Sequence, residues 1–388
     1  MDFEFSPDEE KFREEVREFF QKEEATEGMR RESESGLGFG PCTWEILRKL
    51  GSRGWLTPTW PKEYGGLGLP DVYRYIVMEE LDYFAAFGSQ GSVPVGAGMT
   101  GHIILHYGSE EQKKAWLPRI AKAEIDFALG YTEPQAGSDL SSVEIRAEDK
   151  GDYFLINGQK MFNTACHYTQ YHWLIARTEI TRPKHRGLSF FIVDFTLPGI
   201  TISPLWTMGG TNGMRTNEVF YDDVKVSKER MVGEKNKGFY YLMEALSYER
   251  IYTVNGLRRR FDRLVEYVKQ TGRGKDPIIR QNLAELSIEL EIAKFFALRI
   301  PWLLDRHVVP DKEAAMLKIY VSELDEKLSN TGVQILGHYG LLHQDSKWVR
   351  LDGEIEREFR WFLRTRVTRG TPEIMRNIVA TRGLGLPR

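Results

Sequence analysis

The chain has 388 residues, more than one hydrophobic core usually serves, so two or three domains are expected. Charged residues make up 28% and the formal net charge is -3, which argues against nucleic acid or an acidic membrane as a partner. The two cysteines form no CxxC pattern, the histidines show no HExxH spacing, and no run of about 18 apolar residues could span a bilayer. We therefore expect no disulfide framework, no metal site and no membrane span. The acidic N-terminus does not resemble a secretory signal, so a cytoplasmic location is expected.

Residues 1–122 are predicted to form an N-terminal helical domain. Ser6 and Glu9 have the spacing of a capping box, in which a hydroxyl and a carboxylate bind free backbone amides at the start of a helix. Apolar residues then recur at helical spacing. Ser109 and Gln112 predict a second helix start of the same kind.

Residues 123–234 are predicted to form a middle β-domain. Segments such as YFLINGQKMFN and LSFFIVDF are short and rich in β-branched and aromatic residues. Turn-forming residues punctuate them at 150–152, at Asn157–Gly158 and at 197–199. Several strands at this spacing indicate a small sandwich or barrel.

Residues 235–388 are predicted to be helical again, because apolar residues recur three and four positions apart. The segment YLMEALSYERIYTVNGLRRRFDRLVEYVKQ reads as one long helical run. The fold class is therefore mainly α with a middle β-domain. No GxGxxG motif follows a strand, so a Rossmann nucleotide site is not supported.

Two motifs carry a resemblance to a known family. YTEPQAGSD (131–139), followed by INGQKMFNTA (156–165), resembles the acyl-CoA dehydrogenases, flavoenzymes that oxidise acyl-CoA thioesters between the α and β carbons. Further matches, among them QILGHYG and RGTPEIMRNIVATRGLG, follow in the family's order over nearly the whole chain. The resemblance implies an N-terminal helical domain, a β-sandwich or barrel and a C-terminal four-helix bundle, with FAD as the cofactor.

The resemblance also implies which residues contact FAD. They are Tyr131, Thr132, Ser138, Phe162, Thr164, Arg273, Gln334, Gly337, Gly340, Thr371 and Glu373. Phe162 stands where relatives usually have tryptophan. The chain lacks the RxxFG segment whose arginine reaches the FAD diphosphate in many relatives, and Arg273 is a substitute at a different offset.

The catalytic base is expected on a helix. Many relatives place a glutamate directly before the GT of the C-terminal motif, where this chain has Arg369. A second group of relatives carries the catalytic glutamate on a bundle helix, directly before an arginine. Glu249–Arg250 resembles that pattern. The resemblance implies that Glu249 takes the α-proton, that flavin N5 accepts the β-hydride, and that the backbone N–H of Arg369 binds the thioester carbonyl. Arg250, Gly370 and Ser138 are the expected substrate contacts.

The resemblance also implies partners. We expect an acyl-CoA substrate, an electron-transferring flavoprotein as electron acceptor, and a homo-oligomer (dimer or tetramer) or a hetero-oligomer with a related subunit. The segment RTEITRPKHRGLSFFIVDF (177–195) resembles members that act on ring-bearing thioesters, and a base on the bundle helix often accompanies branched, cyclic or otherwise bulky acyl groups. Two alternatives stay open: a flavin-binding partner subunit of a hetero-oligomeric dehydrogenase, and an acyl-CoA oxidase.

Overall fold

A computed structural model describes residues 3–34, 39–85, 94–208, 215–249 and 253–387. The α-helices of these residues are α1 (Pro7–Lys22), α2 (Ala25–Glu34), α3 (Pro41–Ser52), α4 (Asp71–Ala85), α5 (Gly101–Tyr107), α6 (Glu110–Ala121), α7 (Gly238–Glu249), α8 (Asn255–Gln270), α9 (Pro277–Leu304), α10 (Asp311–Leu336), α11 (Glu354–Val367) and α12 (Pro372–Ile378). The strands are β1 (Phe127–Gly130), β2 (Arg146–Asp149), β3 (Tyr153–Lys160), β4 (Tyr171–Arg177), β5 (Leu188–Asp194), β6 (Ile200–Pro204), β7 (Asn217–Ser227) and β8 (Met231–Val232). The predicted order of helical, β and helical parts is confirmed.

The chain divides into two compact units. The helical unit comprises Met1–Thr43, Leu69–Ser92 and Arg250–Arg388, and the β-unit comprises Trp44–Gly68 and Val93–Glu249. Within the described ranges, no helix combines the length and the apolar character that crossing a bilayer requires.

Both predicted capping boxes are confirmed. The Ser6 hydroxyl accepts a hydrogen bond from the Glu9 amide at 3.3 Å, and the Glu9 carboxylate accepts one from the Ser6 amide at 2.7 Å. Ser109 and Gln112 make the same reciprocal pair at the start of α6. Each pair satisfies two amides that a helix start leaves without intrahelical partners, so these local signals fix where α1 and α6 begin.

The strands of the β-unit form one eight-stranded sheet in the order β6-β7-β3-β2-β4-β5-β8, with β1 paired to β4. Strand β1 runs parallel to β4 from the Phe127–Tyr171 pair to the Gly130–Leu174 pair. The neighbouring pairs β2–β3, β3–β7 and β4–β5 are antiparallel. Strand β5 is buried from Leu188 to Val193 and forms the centre of this unit's core.

The turn predicted at Asn157–Gly158 is wrong. Both residues lie inside β3, where the register against β7 shifts between Ile156 and Gly158. Gly158 has a φ of 138°, and the Asn157 side chain binds the backbone N–H and the carboxylate of Asp223 across the sheet. Asn-Gly favours the unusual backbone of a bulge as well as that of a hairpin turn, so the dipeptide alone could not distinguish them.

The helical run predicted around Glu249 is interrupted, because Thr253 and Val254 are not helical and α8 begins at Asn255. In the helical unit, the buried carboxylate of Asp82 accepts hydrogen bonds from the Thr253 hydroxyl and the Gly256 amide, both at 2.8 Å. Asp82 thus caps α8 from a distant part of the sequence. A local pattern could not predict this cap, because its acceptor comes from α4.

The C-terminal helices of the helical unit enclose a network of buried charges. Arg260 on α8 donates to Asp325 on α10 and lies 3.3 Å from the carboxylate of Glu358 on α11. These neighbouring carboxylates raise the pKa of Arg260 although its burial opposes the charge. Removing one member of this network would leave a buried charge without a partner, which is strongly destabilising. The network therefore favours the observed pairing of the three helices.

The Asp82 cap predicts a pH dependence of stability. Burial raises the pKa of Asp82 to about 7, above the value of about 3.9 in an unfolded chain. The stability that this group supplies is therefore full below about pH 4 and is lost as the pH rises toward 7. Asp82→Asn removes the titration but keeps an oxygen acceptor of the same size. Between pH 5 and pH 8, the free energy of unfolding of the wild type, measured in urea, should fall by about 2 kcal/mol more than that of the variant. Parallel pH profiles would contradict the assignment.

Candidate active site

The first predicted flavin segment follows β1 directly. Tyr131 is buried, and its hydroxyl lies 3.3 Å from the Met99 sulfur. Thr132 is half-buried, and its backbone carbonyl accepts a hydrogen bond from the Met161 amide at 2.9 Å. Ser138 is exposed farther along the same loop. The bond to Met161 joins this segment to the residues that follow β3.

The second predicted flavin segment follows β3 and contains two residues with left-handed backbone, Phe162 at φ 58° and Ala165 at φ 72°. Asn163 fixes this turn, because its amide donates to the Asn217 carbonyl at 2.8 Å and its side chain donates to the Leu129 carbonyl at 2.8 Å. The Phe162 side chain is 54% exposed although it is large and apolar, and Thr164 is half-buried. The turn thus presents an aromatic ring at the surface of the β-unit.

A buried ion pair ties the two segments together. The Lys160 ammonium lies 2.8 Å from the Glu133 carboxylate and donates to the Tyr131 carbonyl at 2.9 Å. Lys160 is 0% exposed and Glu133 is buried. Sequence reasoning missed this pair. The available signal was a lysine at a position of β3 where the alternation of the strand places a buried side chain.

The predicted residues near the C-terminus surround the start of α12 in the helical unit. Arg369 and Gly370 both have left-handed backbone, with φ values of 58° and 91°. The Thr371 hydroxyl accepts a hydrogen bond from the Ile374 amide at 3.3 Å and caps the helix. Hydrogen bonds from the Glu373 backbone amide and from Thr371 lower the pKa of the Glu373 carboxyl. These contacts set the backbone path at Arg369, whose N–H is the predicted carbonyl donor.

The remaining predicted FAD residues also lie in the helical unit, at the end of α10. Gln334 is exposed, and Gly337 ends the helix with a φ of 59°, a conformation that favours glycine. The Arg273 guanidinium donates to the carbonyl of Ile335 in the last turn of α10. Gly340 is buried in the turn that follows. The structure therefore brings Arg273 to the turn that contains the predicted diphosphate contacts.

Glu249 is the last residue of α7. Its side chain and the whole of Arg250 lie outside the described residues, so the roles given to both stay predictions. One and a half turns earlier on α7, the Glu244 carboxylate accepts from the Tyr107 hydroxyl at 2.6 Å and lies 2.5 Å from His106 Nδ1. The hydrogen bond with His106 lowers the pKa of Glu244.

A second contact near the end of α7 is aromatic. The Tyr248 ring stacks on His102 of α5 with centroids 4.1 Å apart, and His102 Nε2 lies 3.5 Å from the indole nitrogen of Trp60. Together with the Glu244 contacts, this stack fixes the rotation of α7 about its axis within the β-unit. Sequence reasoning did not identify these residues, because no local motif links α5 to α7.

Family sequence models for the acyl-CoA dehydrogenase N-terminal, middle and C-terminal domains match residues 6–124, 128–224 and 236–384. The chain therefore belongs to the acyl-CoA dehydrogenase family, whose members are FAD-dependent oxidoreductases that act on acyl-CoA.

Similar proteins cover the full length of the chain. The acyl-CoA dehydrogenase FadE26 of Mycobacterium tuberculosis is 32% identical over 410 residues, which span 100% of this chain and 99% of that protein. The solved Tcur3481-Tcur3483 steroid ACAD is 33% identical, with a TM-score of 0.89 and full coverage of both chains. The ChsE4-ChsE5 complex from Mycobacterium tuberculosis is 30% identical, with a TM-score of 0.86 and full coverage of both chains.

The residues of the β-unit fit FAD. The hydroxyls of Thr132, Ser138 and Thr164 make no side-chain hydrogen bond within the described ranges, so they are available to polar ring atoms. The exposed ring of Phe162 offers an apolar surface beside them. A flat heteroaromatic ring with polar edges requires both features.

Phe162 provides a test of this fit. Because its side chain is 54% exposed, Phe162→Ala should lower the free energy of unfolding by less than about 1 kcal/mol. Loss of the stacking surface should weaken FAD binding about tenfold. The matched control is Phe154→Ala on β3, since Phe154 is 1% exposed and its truncation should cost about 3–5 kcal/mol. FAD titration and urea unfolding measure both quantities. Unchanged FAD affinity in Phe162→Ala would remove this residue from the site.

Proposed function

We propose that this chain dehydrogenates a bulky, branched or ring-bearing acyl-CoA thioester to the α,β-enoyl-CoA, with Glu249 as the base. The observation that carries the proposal is that Glu249, directly before Arg250 in the sequence, belongs to α7, together with an arginine at 369 where many relatives have their glutamate. Removal of an α-proton requires a carboxylate base positioned within reach of it.

The proposed roles of the chain's own residues follow from the charge changes in the reaction. Glu249 accepts the α-proton, and negative charge then develops on the thioester oxygen. The backbone N–H of Arg369 donates to that oxygen, and a preorganised donor of this kind contributes about 3–4 kcal/mol. Bound FAD supplies the acceptor for the β-hydrogen, which leaves as hydride. Thr132, Ser138 and Thr164 bind and orient the reactants.

Thr371, Glu373 and Gly370 are proposed contacts to FAD and substrate around α12. Arg273, Gln334, Gly337 and Gly340 are proposed contacts at the FAD diphosphate, and Arg250 is proposed to contact the substrate.

We also propose domain limits of 1–122, 123–234 and 235–388, and an electron-transferring flavoprotein as the electron acceptor. A bulky acyl group is supported by the full-length similarity to a solved steroid ACAD at 33% identity.

A second candidate is a partner subunit of a hetero-oligomeric dehydrogenase. Its support is the absence of the usual RxxFG segment, since Arg273, the substitute at a different offset, donates to the Ile335 carbonyl of its own helical unit. One similar structure is a complex of two named proteins, ChsE4 and ChsE5. This candidate predicts that the chain purified alone lacks FAD and acquires it only with a second subunit.

The base is tested by Glu249→Gln. The amide has nearly the size of the carboxylate but cannot accept the α-proton, so anaerobic flavin reduction by substrate should slow by more than about 100-fold while FAD stays bound. The matched control is Glu244→Gln on the same helix, because the Glu244 carboxylate is occupied by His106 and Tyr107. Stopped-flow absorbance measures both variants. A near-normal rate in Glu249→Gln would show that another residue is the base.

A further inference from the structure

Lys160 occupies an unusual position for a charged side chain. It lies at the end of β3 with no exposed surface, and burial lowers its pKa to about 8 while the Glu133 carboxylate opposes that change. At neutral pH the ammonium therefore keeps its proton. A buried ion pair is seldom more stable than apolar side chains of the same volume, so stability alone does not account for this pair.

Glu133 is bound from several directions at once. One carboxylate oxygen accepts from Lys160 at 2.8 Å and from the Ile145 amide at 3.1 Å. The other accepts from the Glu144 amide and from the Gln135 side chain, both at 2.7 Å. All of these donors hold the carboxylate in one orientation. The carboxylate is consequently a rigid anchor for the loop that contains Thr132.

Lys160 connects this anchor to the turn after β3. Its ammonium binds Glu133 and the Tyr131 carbonyl, which flank Thr132 on either side. Its chain neighbour Met161 donates its amide to the Thr132 carbonyl at 2.9 Å. Phe162 is the next residue after Met161 in the chain. These three bonds, together with the Asn163–Leu129 bond, hold a hydroxyl and an aromatic ring of the proposed flavin site at a set distance.

We propose that Lys160, paired with Glu133, is a positioning residue that sets the spacing between the two flavin-binding segments of the β-unit, Tyr131–Glu133 and Met161–Thr164. The inference rests on the proposed function, because it takes these segments as FAD contacts. Lys160 does not touch the cofactor. It acts through Thr132 and Phe162, whose positions it determines.

Lys160→Met tests the inference, because methionine keeps most of the apolar stem and removes the ammonium. FAD binding should weaken by about 10- to 100-fold, the range found when residues that orient metal ligands are removed. The visible absorption bands of the remaining bound flavin should shift, since its ring environment changes. FAD titration and the visible spectrum are measured together with far-UV circular dichroism of the FAD-free protein.

Gln112→Met is the matched control. Gln112 is also buried in the β-unit, and its side chain donates to the carbonyls of Glu229 and Met231 at 2.7 and 2.8 Å. The variant loses a similar set of buried hydrogen bonds but touches neither segment. It should bind FAD within about twofold of the wild type. Equal loss of FAD affinity in both variants would show a general destabilisation of the fold and would overturn the proposal. Wild-type FAD affinity and a wild-type spectrum in Lys160→Met would also overturn it.

Glu133→Gln keeps the proposal testable if Lys160→Met does not fold, since the amide retains one acceptor and the shape of the carboxylate. The same loss of affinity and the same spectral shift are expected, and their absence would contradict the proposal. A wild-type protein that binds no FAD, alone or with a second subunit, would instead refute the proposed flavin site itself. Weakened binding in Phe162→Ala with normal binding in Lys160→Met would refute only the role of Lys160.

Discussion

One buried charge pair, Lys160 with Glu133, determines how the β-unit presents its loops. Strand β1 pairs with β4 and β3 pairs with β2 and β7, so no strand ladder joins the ends of β1 and β3. The segments that follow them are held together by the Lys160 ammonium, by the Met161–Thr132 bond and by the bond from Asn163 to the Leu129 carbonyl. A flat cofactor needs its contacts fixed within a fraction of an ångström, which a charged side chain bound by several partners can achieve.

Left-handed backbone occurs at two of the proposed functional positions, Phe162 and Arg369, and at Ala165 near Phe162. Phe162, Ala165 and Arg369 have φ values of 58°, 72° and 58°, although none of them is glycine. Such conformations are uncommon for residues with a Cβ and persist only where the surrounding structure imposes them. At Phe162 the constraint comes from Asn163 and its bonds to Asn217 and Leu129. At Arg369 the capped start of α12 follows two residues later. Both turns are held by neighbouring polar contacts, as preorganised binding loops require.

Features set by local chemistry could be predicted from the sequence, and features set by distant residues could not. The two capping boxes and the order of helical, β and helical parts needed only short-range patterns, and all were confirmed. The cap at the start of α8 comes from Asp82, and the Lys160–Glu133 pair joins positions 27 residues apart. The site residues came from motif resemblance, and their roles stay predictions.

We infer that this chain, by itself, binds FAD and uses it to oxidise an acyl-CoA thioester. The most direct measurement is anaerobic titration of the chain, purified alone, with a panel of straight, branched and ring-bearing CoA thioesters, followed by flavin absorbance. We expect a yellow protein with about one FAD per chain, whose flavin band is bleached by at least one bulky thioester. A protein that contains no FAD, or one whose flavin no thioester in the panel bleaches, would contradict it.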